Sequence, residues 1–105
     1  MSALLAETDD LIGIFVIGGG ISGVLKALRE APEARRRQVR LVCRDIGPET
    51  RKGLAEGLIT AALVHPLDQT SSRLVQTMIE TTRQTPSGPI LQRTVPFKTI
   101  TPESV

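Results

Sequence analysis

The 105-residue sequence predicts an α/β fold in which helices cover both faces of a parallel sheet, a three-layer α/β/α arrangement. Short apolar runs alternate with segments whose apolar residues recur at helical spacing, as in βα units. The runs are apolar on both faces, which is typical of parallel strands covered by helices. Proline, glycine and acidic residues mark the ends of the helical segments. We therefore expect right-handed crossovers between neighbouring parallel strands.

The first half of the chain predicts two helices and two strands in alternation. A short helix over residues 2–7 leads through an acidic turn into a strand over 11–17. Apolar residues at positions i, i+3, i+4 and i+7 then predict a helix over about 21–31, and Pro32 ends it. A second strand is expected over about 38–44.

The second half continues the alternation. The third helix begins at Pro48, since proline suits the first helical position, and Gly57 closes it. A buried strand over 58–64 and a helix over about 68–83 follow, and the apolar stripe of this helix is expected in the core. Residues 84–105 are turn-rich at first and contain a proline, which predicts an extended edge strand or tail.

Composition limits the function classes. A net charge of +2 is small, and Arg35, Arg36 and Arg37 are interpreted as a solvated helix end, the alternative being a phosphate-binding patch. Phe15 and Phe97 are the only aromatic residues, which argues against a base-stacking nucleic-acid surface.

The single cysteine and the apolar runs give further limits. Cys43 can form no intrachain disulfide and has no partners for a metal site, so a buried structural thiol is expected. The run 11–17 is too short to cross a bilayer, and residues 1–10 lack the features of a secretion signal. We expect a cytoplasmic protein with no membrane partner.

The glycine-rich turn after the first strand admits a dinucleotide interpretation. The stretch Gly18-Gly19-Gly20-Ile21-Ser22-Gly23 satisfies G-x-G-x-x-G, and Asp45 lies near the spacing expected for a ribose-binding acid. It looks like the opening of flavin-dependent oxidases. However, the chain is short for a flavoenzyme and offers no general base in a catalytic context. A flavin or nicotinamide oxidoreductase domain therefore stays an alternative.

A resemblance covers nearly the whole chain. The stretch RDIGPETRKGLAEGLITAALVHP, residues 44–66, resembles the C-terminal effector-binding lobe of LacI/GalR-type bacterial transcriptional regulators. Residues 4–15 are similar to that family's helix, acid-led turn and strand, and residues 96–105 look like its tail. The family shares the type I periplasmic sugar-binding fold, so the resemblance implies that residues 1–105 are one partial domain.

The resemblance also implies a function without catalysis, cofactor or metal. The intact protein is expected to close two lobes around a small effector, a sugar or sugar derivative, and so to change how two subunits bind operator DNA. The helix-turn-helix head and the first lobe are absent from the chain, which is expected to be a C-terminal fragment that contacts no DNA by itself. We expect a homodimer, and self-association of the fragment through bare apolar surface. A sugar-binding protein of a transporter is the nearest alternative.

Candidate effector-binding residues follow the ends of the three predicted strands, where open α/β sheets bind ligands. Asp45 would accept hydrogen bonds from two sugar hydroxyls, or else would cap the helix that begins at Pro48. His65 stands where the family usually has an amide or similar polar group, or else is a structural histidine packed before Pro66.

The third strand end carries glycine where relatives often place asparagine or aspartate. Gly18, Gly19 and Gly20 offer only backbone N–H groups, which would suit an anionic or bulky ligand at a helix N-terminus. The alternative is that these glycines only make a tight turn. Both interpretations stay open at this point.

Overall fold

The computed structural model describes residues 1–85 and 87–104. It contains helices Ser2–Glu7 (α1), Ile21–Glu30 (α2), Glu33–Gln38 (α3), Pro48–Ala55 (α4) and Leu67–Thr82 (α5), strands Gly13–Val16 (β1), Arg40–Arg44 (β2), Ala61–Val64 (β3) and Lys98–Ile100 (β4), and a 3₁₀ turn, Pro102–Ser104. The predicted tail, 84–105, includes positions 86 and 105, which lie outside the described residues.

The strands form one sheet in the order β1-β2-β3-β4, and the β1/β2 and β2/β3 pairs are parallel. The predicted α/β class with a parallel sheet is confirmed. The chain groups into two compact units, Met1–Val64 with Thr99–Val105 and His65–Lys98, called here the first and second units. The single-domain boundary of 1–105 stays a prediction.

The core of the first unit lies between the sheet and the helices that cover it. Its largest fully buried side chains are Leu25, Leu28, Leu41, Leu54, Ile59 and Cys43. They come from α2, β2, α4 and the segment before β3, so the amphipathic pattern predicted for the helix over 21–31 is confirmed in α2. A Cβ at Gly53 would lie 2.7 Å from Cδ1 of Ile59, which shows how closely α4 approaches this core.

The ends of the elements differ from the sequence expectations. The strand expected over 11–17 pairs only over Gly13–Val16, and the one over 58–64 only over Ala61–Val64, because the apolar runs extend past the ladder. Helix α3 was not expected, since Glu33–Gln38 carries almost no apolar pattern. Gly57 follows α4 at φ 77°, and its N–H donates to the Leu54 carbonyl oxygen, as a C-terminal glycine should.

Two expectations about burial are wrong. Phe15 is 52% exposed, so β1 is not covered on both faces. The apolar stripe of α5, expected in the core, is exposed, with Leu74 and Met78 each 59% accessible. Among the described residues, no helix combines the length and hydropathy needed to span a membrane.

Arg35 is not part of a solvated helix end. Its side chain is half-buried, and its guanidinium donates hydrogen bonds to backbone carbonyl oxygens around the turn between α1 and β1. The acceptors are the carbonyls of Leu5 (3.3 Å), Thr8, Asp9 (3.1 Å) and Leu11 (3.4 Å). Arg35 therefore fastens the N-terminal segment to α3.

Candidate functional site

The ends of β1 and β2 place two predicted site segments at the same edge of the first unit. Val16 pairs with Cys43 in the parallel ladder. Gly18 and Asp45 each follow their paired strand residue at the same offset, so both lie beyond the carboxyl ends of neighbouring strands. This is the edge where parallel α/β sheets bind ligands, and a binding role for the two segments stays a prediction.

Asp45 has the most unusual backbone conformation in the described chain. Its φ is 66°, and it is the one non-glycine residue with positive φ among residues 1–85 and 87–104. Its N–H donates to the Leu63 carbonyl oxygen at 2.8 Å, which ties the bend to β3. Left-handed backbone at a non-glycine residue costs free energy and is concentrated at functional sites. The bend leaves the Asp45 side chain exposed at the sheet edge.

Asp45 is not the cap of the following helix. The N-cap position of α4 is Gly47, and within the described residues no side chain makes a capping hydrogen bond there. Pro48 occupies the first turn, where a missing N–H costs nothing. The capping alternative for Asp45 is thus removed, and its carboxylate oxygens face solvent.

The Asp45 carboxylate affects the thiol of Cys43, which lies two residues earlier, in β2. Burial raises the pKa of the Cys43 thiol, and the nearby Asp45 carboxylate raises it further. Cys43 is 1% exposed and carries no disulfide. Its position therefore fits the predicted structural thiol.

The glycine turn has one position that requires glycine. Gly20 is the N-cap of α2 with φ 93°, a conformation that side-chain-bearing residues rarely adopt. Gly18 and Gly19 have no such φ, and a Cβ added to either would meet nothing within 4 Å among the described residues. Gly20 also lines a surface cleft of about 430 Å³ with Gly23 and Lys26. The turn is therefore open to solvent at the sheet edge.

The dinucleotide interpretation loses support at Gly23. In that fingerprint the third glycine allows close packing of helix on strand. A Cβ at Gly23 would have nothing within 4 Å among the described residues, so no close packing requires glycine there.

His65 belongs to the second unit and directly follows β3 in sequence. It is half-buried, and its ring meets the Phe97 ring edge-on, with centroids 6.5 Å apart and an interplanar angle of 77°. Such edge-to-face pairs are favourable aromatic arrangements. The structural role expected as an alternative for His65 is thus partly realised, while its role toward a ligand stays a prediction.

Phe97 is not among the ligand-binding residues that the sequence predicts. It is 58% exposed beside His65, and an exposed ring offers an apolar face to a bound molecule. Its signal in the sequence is its rarity, since the chain has two phenylalanines and no tryptophan or tyrosine.

The described residues also limit metal chemistry. Over residues 1–85 and 87–104, no three His, Cys, Asp or Glu side chains come together in a way that could hold a metal ion. The site at the ends of β1 and β2 consists of one carboxylate and a run of backbone N–H and C=O groups. These groups can accept hydrogen bonds from a polar, uncharged ligand and can donate hydrogen bonds to it.

Comparison with known proteins identifies the fold. No protein-family model matches the chain, and no curated protein matches it. Among solved structures, it is similar to GanP, a glucose-galactose binding protein from Geobacillus stearothermophilus, with a TM-score of 0.77 and 20% identity over 98% of this chain and 36% of that one.

Two further structures agree. The XylFII-LytSN complex matches with a TM-score of 0.67 and 17% identity over 99% of this chain and 35% of the matched one. The XylFII molecule matches with a TM-score of 0.66 and 16% identity over 95% of this chain and 34% of that one. The chain thus spans about a third of the length of these structures. Its fold is that of part of a type I periplasmic-binding protein.

Proposed function

We propose that the chain is part of a sugar-responsive, DNA-binding transcriptional regulator, and that it contributes one wall of the sugar site. The observation that carries the proposal is Asp45: an exposed carboxylate held by left-handed backbone at the carboxyl edge of a parallel sheet. Likeness to a protein whose name gives glucose and galactose as ligands supports a sugar or sugar derivative as the effector.

Asp45 would act as a hydrogen-bond acceptor. An ionised carboxylate has two oxygens and can accept from two neighbouring sugar hydroxyls, and charge-assisted bonds of this kind are short and strong. Because its backbone is held by the hydrogen bond to the Leu63 carbonyl oxygen, binding restricts only the side-chain rotation of Asp45.

The glycine turn would supply the second contact surface. Gly18 and Gly19 have no side chain that would cover their backbone, so a ligand can approach these N–H and C=O groups closely. His65 is kept in the proposal as a further ligand group. His65→Ala in the full-length protein should weaken sugar binding, and unchanged affinity in calorimetry would remove His65 from the site.

Binding would be coupled to operator DNA without chemistry on the sugar. The effector favours one of two lobe arrangements, and this preference changes how two subunits present their DNA-binding heads. The proposal involves no catalytic residue, no cofactor and no metal, and it places the protein in the cytoplasm.

Sugar titration of the full-length protein tests the site. We expect heat of binding with D-glucose, D-galactose or another neutral sugar, and a loss of about 1.5–3 kcal/mol for Asp45→Ala, the value of hydrogen bonds to a charged group. Asp10→Ala is the matched control, since Asp10 is an exposed acid that precedes β1 at the opposite edge. Unchanged affinity of Asp45→Ala in calorimetry would remove this residue from the site.

A periplasmic sugar-binding protein of a transporter is a second candidate, and likeness to GanP favours it as much as the regulator. Fractionation of the native cells separates the two, because the regulator stays with the cytoplasm and binds DNA, whereas the transporter component is exported. A flavin or nicotinamide domain ranks lower, and tight flavin binding by the full-length protein would overturn the sugar proposal.

The exposed apolar side chains support a homodimer as part of the proposal. Leu74, Met78 and Phe15 are each more than half exposed. Exposed apolar patches mark interaction surfaces, so we expect the chain to self-associate. Sedimentation that gives a monomer at high concentration would contradict this expectation.

A further inference from the structure

A second candidate site lies at the opposite edge of the first unit. A cleft of about 240 Å³ opens where β2 begins and where the chain enters β3, and its polar lining is Glu33, Arg36, Arg37, Arg40, Glu56 and Thr60. A water molecule occupies about 30 Å³ of liquid. The cleft is therefore large enough for a small polyatomic ion.

The acidic residues of this cleft are already paired. Arg37 donates to Glu33 at 2.7 Å, and Arg29 donates to Glu56 at 3.0 Å. Arg36 and Arg40 form no ion pair within the described part of the chain. The Arg40 guanidinium donates instead to the Arg37 carbonyl oxygen at 2.9 Å, which leaves its charge uncompensated.

Arg36 differs from the exposed Arg40 in its burial. Its side chain is half-buried, and its Nε is buried without a hydrogen-bond partner among the described residues. A buried donor of a charged group that lacks a partner is costly, because it has lost water and gained nothing. The two terminal nitrogens of this guanidinium are not buried and make no hydrogen bond among the described residues, so they are the edge that an acceptor in the cleft can reach.

We propose that the cleft binds a phosphate group, either as inorganic phosphate or as a phosphate monoester. The guanidinium of Arg36 is a planar fork that matches two phosphate oxygens. Arg40 adds a second positive charge, and the hydroxyl of the exposed Thr60 adds a donor. A phosphate monoester carries a charge of about −1.5 to −2 at pH 7, which is close to the two arginine charges that the glutamates leave unpaired.

The cleft is independent of the sugar site. Arg40 begins β2, whereas Asp45 follows its end, so the two sites occupy opposite edges of the sheet. Failure of sugar binding would therefore leave the phosphate site intact, and the reverse also holds.

Thermal unfolding and NMR of the chain test the proposal. Phosphate is added at constant ionic strength with chloride as the reference, so that general screening cancels. We expect phosphate to raise Tm and to shift the Arg36 Nε–H resonance in a saturable manner. Glucose 6-phosphate is the second probe. A shift of the Arg36 resonance with both probes assigns binding to the phosphate group, whereas a rise in Tm with glucose 6-phosphate that leaves the Arg36 resonance unmoved assigns that binding to the sugar site.

Two arginine variants complete the test. Arg36→Met is expected to weaken phosphate binding about tenfold or more, since it removes charge-assisted hydrogen bonds. Arg51→Met is the control, because Arg51 is exposed on α4 and does not line the cleft. Arg40→Gln, at an exposed position, gives a second reading if Arg36→Met does not fold. The proposal is overturned if neither probe shifts the Arg36 resonance, or if Arg40→Gln and Arg51→Met bind phosphate equally.

Discussion

The guanidinium of Arg29 donates to both carboxylate oxygens of Glu56, at 3.0 and 3.2 Å, and so joins α2 to the C-terminal end of α4. The hydrogen bond from Arg29 holds the pKa of Glu56 below its ordinary value. A carboxylate whose pKa is lower in the folded state stabilises the fold above the unfolded pKa. This stabilisation is lost as the pH falls through the folded pKa.

The first prediction follows from this pair. Glu56→Gln should lower the urea midpoint at pH 7, and the difference from the parent chain should shrink as the pH is lowered below the ordinary carboxylate pKa. Glu7→Gln is a control, since Glu7 is exposed on α1 and no ion pair is found for it in the described chain. A difference that stays constant with pH would contradict the role of the Glu56 charge.

The second prediction concerns Arg35, which donates to the carbonyls of Leu5, Asp9 and Leu11. Arg35→Met should lower the free energy of unfolding by about 1.5–3 kcal/mol, the range for hydrogen bonds to a charged group. Arg37→Met should cost less than about 1 kcal/mol, because its partner Glu33 is exposed. Equal losses in chemical denaturation would show that Arg35 is no more than a surface residue.

The third prediction compares two glycines inside helices. Gly53→Ala should destabilise the chain by about 1–3 kcal/mol, because its Cβ would overlap the side chains of Ile59 and Leu25. Gly23→Ala should be neutral or stabilising by up to about 1 kcal/mol, since alanine favours a helix and the position is open. Urea unfolding of both variants decides this, and a stable Gly53→Ala chain would mean that α4 can move away from Ile59.

The fourth prediction separates stability from binding at Asp45. Asp45→Gly should match or exceed the parent in stability by up to about 1 kcal/mol, because glycine adopts positive φ without strain. Asp45→Val should lose about 1–2 kcal/mol, the cost of left-handed backbone for a side chain with a branched Cβ. Both should lose sugar affinity in the full-length protein. If Asp45→Val unfolded at the same urea concentration as the parent, the backbone strain would be excluded.

The sequence was informative where local chemistry and packing agree. The apolar stripe of α2 and the proline after it, Pro32, predict both the helix and its end. The place of Asp45 directly after a predicted strand puts it at the edge of the sheet. Helix α3 could not be predicted, because its residues are mostly charged and a helix without an apolar face gives no periodic signal.

The remaining differences depend on tertiary structure. Strand ends are set by pairing between segments that are far apart in the sequence, as in the pair of Val16 and Cys43. They do not depend on where an apolar run stops. The left-handed φ of Asp45 accompanies a hydrogen bond to the Leu63 carbonyl oxygen, a contact between distant segments that the local sequence does not show. The partial burial of Arg36 likewise depends on the packing of α3 in the folded chain, which the sequence does not show.

The position of β2 has a consequence for the order in which the first unit opens. This strand has parallel partners on both sides, and Leu41 and Cys43 are almost completely buried within it. We expect the amide protons of such a strand to exchange with solvent mainly through unfolding of the whole unit, which hydrogen exchange followed by NMR would measure. The glycine turn after β1 is exposed, so we expect its amide protons to exchange early, while β2 keeps its protons for the longest time. Gly18 and Gly19 can therefore vary in sequence without loss of the fold.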